Sequence, residues 1–182
     1  MIVIMSEIFV EQLIVMGERQ HTLAQGTCFF HQGDKVTTVY VVKEGLVELT
    51  RHQQDGTSIV LQRATRQTVL AEASVYSENY HCDALVALPA TLWEIPKATF
   101  IKRLREDDAF SNLWAAYLAR EVQGARYRCE IMSRKTVTER LDGWLAWHGN
   151  KLPEKGQWKG VARQIGVSPE ALYRELAKRR PK

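Results

Sequence analysis

The chain has 182 residues, 45% apolar and 25% charged, which are the proportions of one or two ordinary folded domains and exclude a disordered or fibrous chain. No apolar run approaches the ~18–20 residues that cross a bilayer. The apolar start, Met1-Ile2-Val3-Ile4-Met5, lacks the basic lead and length of a secretory signal, so the expectation is a cytoplasmic protein with no membrane partner.

The net charge of +4 is unevenly divided. Residues 1–100 carry 7 basic against 11 acidic side chains, and residues 101–182 carry 18 against 10, so a nucleic acid would meet the C-terminal end. Three widely spaced cysteines, Cys28, Cys82 and Cys129, form neither a disulfide framework nor a CxxC-type metal site. No metal or other cofactor is expected.

In chain order, residues 7–16 suit a short helix ending before Gly17. From His21 to Pro96, runs rich in Val, Thr, Tyr, Phe and Leu alternate with turn signals at Gln25-Gly26, Gln32-Gly33-Asp34, Glu44-Gly45 and Asp55-Gly56. That spacing predicts an antiparallel all-β unit. Val39–Val42 is a fully buried type of strand, and Leu46–Thr50 with Ser58–Gln62 flank the hairpin signal Asp55-Gly56. Cys28, in the run Thr27–Phe30, reads as core.

After Pro96 the apolar period becomes about 3.6. Phe110, Trp114, Leu118, Val122, Ala125, Cys129 and Met132 fall on one stripe of a long helix, with Gly124 beside it. So narrow and long a stripe suits a helix paired with its twin in a homodimer. Trp114, Leu118, Val122, Ala125, Cys129 and Met132 would form the seam, with Cys129 a small buried hydrophobe. The alternative is a helix lying on the β unit.

Val137–Trp147 reads as a further helix. Trp158–Lys178 then reads as helix, tight turn at Gly166, helix, with Ser168 as N-cap and Pro169 at the first helical position. Val161, Ala162, Ile165, Leu172 and Leu176 face inward, the spacing of a helix-turn-helix. Trp144, Trp147 and Trp158 can complete its core. The expected fold class is α+β: an N-terminal antiparallel, jelly-roll-like β-roll over 1–99, a dimerisation helix over 100–135, and a helix-turn-helix over 136–182 whose wing is truncated or absent.

These motifs together resemble the catabolite-activator and fumarate-nitrate-regulator (CRP/FNR) family over residues 17–178. Phe30-His-Gln-Gly-Asp34 with Tyr40–Leu49 is similar to the opening of a cyclic-nucleotide-binding-type β-roll. Leu70–Tyr76 falls at the family's ligand cassette, and Ser168–Arg174 at its recognition helix.

The resemblance implies a non-enzymatic transcription regulator with double-stranded DNA, a second copy of itself, RNA polymerase and a small-molecule or redox effector as partners. It places Glu72, Ser74, Tyr80, His81, Cys82 and Asp83 around the effector. Members that bind cyclic AMP grip its phosphate with an Arg-Ser pair; here Cys82-Asp83 stands there, and a carboxylate without a compensating guanidinium repels a phosphate. The expected effector is therefore not cyclic AMP. Cys82 beside His81 could instead be a redox-sensing thiol, whereas a shared metal is opposed by the alternation of strand side chains.

At the DNA end, Ser168, Pro169, Glu170, Tyr173 and Arg174 would face the major groove, Glu170 accepting from cytosine and Arg174 reaching guanine or phosphate. Pro169 replaces an Arg common in the family. Lys159, Arg163, Lys178, Arg179 and Arg180 would meet phosphates. Two other readings are a cupin-like enzyme and a dimerising module that no longer reads DNA. The five histidines lack the His-x-His spacing of the first, and no nucleophile elbow, P-loop or dinucleotide fingerprint occurs.

Overall fold

The computed structural model describes residues 2–54 and 58–179, which fall into two compact units divided between Arg120 and Glu121. The fold class is the expected α+β. In the first unit, helix α1 (Ile2–Val15) starts five residues earlier than the sequence suggested, so the apolar start belongs to it. Six antiparallel strands follow: β1 (Arg19–Leu23), β2 (Cys28–Phe30), β3 (Thr38–His52), β4 (Ser58–Ala64), β5 (Thr68–Leu70) and β6 (Asp83–Pro96).

The long strands β3 and β6 pair along nearly their whole length, from Thr38↔Pro96 to Thr50↔Asp83. β1 and β2 add to β6, while β4 and β5 add to opposite halves of β3. The β3/β6 register shifts between Val42 and Val47, and bulges of this kind bend both strands so that one sheet rolls over on itself. Gly45 sits in the bend at φ +88; a Cβ there would lie 2.1 Å from the Pro89 carbonyl oxygen. The Asp55-Gly56 turn lies outside the described residues, but the strands it joins pair from His52↔Ser58 to Val47↔Ala64, as a hairpin requires.

Rolling gives the sheet two apolar faces. The inner one gathers Phe30, Leu49, Leu70, Tyr80, Cys82 and Leu92. The outer one, with Val39, Val41, Val69 and Ile95, is covered by α1, α2 (Lys97–Glu106) and the start of α3 (Asp108–Ser133). Phe9 of α1 is wholly buried there, its ring 5.2–6.5 Å from those of Phe100, Phe110, Trp114 and Tyr117. The Tyr117 hydroxyl accepts the Val69 backbone N–H at 2.8 Å, tying α3 to β5.

The segment 100–135 is not one helix. Asp107 takes an extended conformation (φ −130, ψ 97), and its carboxylate caps α3 by accepting the Phe110 N–H at 2.9 Å. That interaction holds the Asp107 carboxyl below its usual range. In the second unit, Ile131 of α3 packs with α4 (Val137–Trp147), α5 (Trp158–Gln164) and α6 (Pro169–Lys178) around Leu141, Trp144, Ile165, Leu172 and Leu176. Thr136 and Glu139 close a reciprocal capping box at the start of α4.

Gly45→Ala is expected to cost more than about 3 kcal/mol, because the new Cβ meets backbone atoms that cannot swing aside. Urea unfolding checks this; an unchanged midpoint would mean that the two strands cross with room to spare.

Candidate functional site

Two regions carry the predicted functional residues, one in each unit. The cassette begins where β5 ends. Ala71 adopts a left-handed conformation (φ 56) that a Cβ-bearing residue rarely takes, and Glu72–Ser74 then form one 3₁₀ turn. Gln62 of β4 fixes this strained start. Its Oε1 accepts the Ala71 N–H at 3.0 Å, and its Nε2 donates to the Val69 carbonyl at 3.1 Å and to the Glu72 carboxylate.

Ser74, fully buried, bonds through its hydroxyl to His81 Nδ1 at 3.0 Å, and Arg51 Nε donates to the His81 carbonyl at 3.2 Å. Asp83 accepts the Gln32 backbone N–H at 2.8 Å and stands 3.7 Å from His52 Nε2. Of the predicted effector residues the structure joins Ser74 to His81, and it adds Gln62, Arg51 and Gln32, which the sequence reading did not single out, as partners of Glu72, His81 and Asp83.

Two of the predicted residues are struts of the inner core. Tyr80 stacks on Phe30 (3.7 Å, 10°) and donates its hydroxyl to the Thr38 carbonyl; burial raises its phenol far above the ordinary range. The Cys82 side chain is fully buried, and burial pushes its thiol up to about 11 despite the charge of Arg51. A reactive thiol needs the opposite environment, so Cys82 does not have the surroundings of a redox sensor. His81 and Cys82 lie in a bend before β6 rather than on a strand, with His81 turned to Ser74 and Cys82 into the roll. Among the described residues no group of three or more His, Cys, Asp or Glu can hold a metal. Cys28, expected in the core, is exposed while Phe30 is buried, because the register of β2 on β6 shifts between them and the two no longer share a face.

In the second unit Gly166 (φ +64) makes the tight turn between α5 and α6. The Arg140 guanidinium clamps this turn, donating to the Ile165 and Gly166 carbonyls at 3.1 and 3.0 Å. Ser168 Oγ accepts the Ala171 N–H at 3.2 Å, with Pro169 next in the first turn. Leu172 and Leu176 face inward, so Glu170, Tyr173 and Arg174 face solvent. Hydrogen bonding at the helix start and from Ser168 holds the Glu170 carboxyl below its usual range, with Lys159 and Arg174 adding to the effect; it is an anion at neutral pH.

Lys159, Arg163 and Lys178 are exposed as well, and Arg180 lies outside the described residues. Arg179 corrects the sequence reading. Its guanidinium is spent on Glu175 (2.8 Å), Asp142 (2.6 Å) and the Thr138 carbonyl (3.2 Å), which fastens the end of α6 to α4. It is a structural clamp; a phosphate would have to break those bonds. Trp144 and Trp158 serve the core as expected, but Trp147 is 54% exposed and stacks on Tyr127 at the surface.

The helical stripe divides in the same way. Phe110 and Trp114 are buried against the roll of their own chain, so Trp114 is not available to a seam. Leu118 is partly buried in the same cluster. Val122 and Met132 are each 48% exposed, and Ala125 and Cys129 are exposed with them in the single chain.

Residues 20–107 match the cyclic nucleotide-binding domain family. A helix-turn-helix follows that roll in one chain. Over most of its length the chain is similar to regulator proteins. It is 24% identical over 173 residues to the nitrogen fixation regulation protein FixK of Bradyrhizobium diazoefficiens, covering 90% of this chain and 72% of that protein. Its fold is similar to that of FixK2 from Bradyrhizobium japonicum, with TM-score 0.74, 17% identity and coverage of 88% of this chain and 83% of that one. It is also similar to the c-di-GMP responsive global regulator CLP of Xanthomonas campestris, with TM-score 0.70, 17% identity and coverage of 93% and 89%.

Two outcomes follow for this chain. Iodoacetamide at pH 8 should label Cys28 and Cys129 long before Cys82, since a thiol at about 11 is only ~0.1% thiolate there. Peptide mass spectrometry reads the order, and equal labelling would place Cys82 at the surface. Arg179→Ala should cost about 1–3 kcal/mol, because it leaves the buried Glu175 carboxylate without its guanidinium. Arg179 lowers the folded-state pKa of Glu175, so this stability is present above the ordinary glutamate range and is lost as pH falls through the depressed value. The gap between wild type and variant in thermal unfolding should therefore be full at pH 6–8 and close below pH ~4; a constant gap would assign the loss to packing.

Proposed function

We propose that this regulator is a homodimer that reads a specific double-stranded DNA sequence in the major groove and responds in its roll to an effector other than cyclic AMP. The observation that carries the reading is the outward face of α6. Glu170, Tyr173 and Arg174 stand exposed on a helix whose N-terminus is capped by Ser168, whose preceding turn is clamped by Arg140 and whose far end is clamped by Arg179. Rigid placement of two or three side chains on such a helix is what base readout needs. Lys159, Arg163 and Lys178 supply the backbone attraction that depends on salt.

The exposed Val122, Ala125, Cys129 and Met132 favour pairing of two copies along the second part of α3. Two recognition helices in a dimer would address half-sites about 34 Å apart. Rejection of cyclic AMP rests on Cys82 and Asp83, which stand where a cyclic phosphate would need an Arg and a hydroxyl. Arg51, whose charge reaches Cys82, already donates to the His81 carbonyl.

In fluorescence anisotropy with a selected operator, Arg174→Ala and Glu170→Ala should each weaken binding by about 1–3 kcal/mol and relax preference at one base pair. Lys159→Ala should weaken specific and random duplexes alike and reduce the salt slope by about one. Equal affinity of the wild type for operator and random duplex would instead identify a module that does not read DNA. Val122→Glu with Met132→Glu should give a monomer in sedimentation, and a dimer that survives both changes would move the seam elsewhere.

A further inference from the structure

The pattern of β4 is inverted. Ile59 and Leu61 are 44% and 37% exposed, whereas the amide Gln62 between Leu61 and Arg63 is 9% exposed and faces the cassette. A polar residue on the inward beat of a strand breaks the rule that builds it, and such breaks mark functional sites. Gln62 spends its carbonyl oxygen on the Ala71 N–H and its amide on the Val69 carbonyl and the Glu72 carboxylate. Those three bonds hold the cassette backbone in its left-handed turn and engage one oxygen of its carboxylate.

A carboxylate in that place is the natural acceptor for a ligand's hydroxyl or amine donors. The other end of the cassette is tied in the same way, Ser74 to His81 and Asp83 to the Gln32 N–H. We infer that Gln62 is the residue that excludes cyclic nucleotides as a class, acting as a built-in surrogate: its side-chain amide makes from within the bonds to Glu72 and the cassette backbone that a sugar would make from outside. The inference rests on the reading of residues 72–83 as an effector cassette. It adds a second lock, independent of Cys82 and Asp83. To take the Glu72 oxygen that Gln62 holds, a nucleotide would have to displace a buried amide and leave the Ala71 N–H and Val69 carbonyl without their partner, a penalty that falls on the ligand as lost affinity.

The test is calorimetric titration of cyclic AMP and cyclic GMP into the full chain, as wild type, Cys82→Arg/Asp83→Ser, and that double variant with Gln62→Ser. The expected result is no heat for wild type, at most millimolar binding for the double variant, and at least tenfold tighter binding for the triple. Equal affinity of double and triple variants overturns the role of Gln62 alone. Micromolar binding by the wild type overturns the reading of the cassette itself.

A Gln62→Glu variant reports on the contact without any ligand. Two facing carboxylates should lower its melting temperature relative to wild type at pH 7.5, and the gap should narrow as pH falls toward 4.5 and one of them takes up a proton. A melting temperature equal to wild type at both pH values means that Gln62 does not hold Glu72, and the inference fails.

Discussion

Everything in the first unit depends on one bend. β3 and β6 are continuous partners over more than ten residues, and they turn together only because Gly45 brings its backbone against Pro89 and Ala90 where no side chain fits. A flat pair of strands of this length would offer two solvent-facing surfaces. Once bent, the same pair has a concave side that closes over Phe30, Tyr80 and Leu92 and a convex side that needs covering by α1, α2 and α3. The cassette and the helix that leaves the roll are therefore consequences of a single steric requirement.

The sequence declared this architecture in the places where local chemistry is strong. The switch from strand to helix at Pro96, the helix Val137–Trp147, the turn at Gly166 and the N-cap Ser168 are all where spacing and capping residues put them. The break at Asp107 falls just before the first residue of the apolar stripe, Phe110, and only the cap to Phe110 reveals it. The helical stripe misled at its N-terminal end for a related reason. Periodicity says which face of a helix is buried but not against what, and Phe110 and Trp114 are claimed by Phe9 of α1, a helix distant in sequence.

Long charged side chains were the least legible. Arg179 follows a basic helix end and reads as a phosphate contact until Asp142 and Glu175 are seen to converge on it from two helices. Arg140 carries no motif, yet its reach across 25 residues to Ile165 holds the turn between α5 and α6. Gln62 had a signal that could have been read: a lone amide on the inward beat of a strand. Apolar content alone does not distinguish the two sides of a strand; the inward beat of β4 does.

Val69 has a further meaning. Its carbonyl is held by Gln62 and its N–H by Tyr117, so a single residue of β5 stands between the cassette and α3. Such a residue works as a splice: strain on one bond changes the geometry available to the other. Free-energy coupling is reciprocal, so a load on the Tyr117 turn of α3 is also a load on the cassette that Gln62 holds. In the first unit the roll and the start of α3 share one residue, and neither bond can be altered without the other.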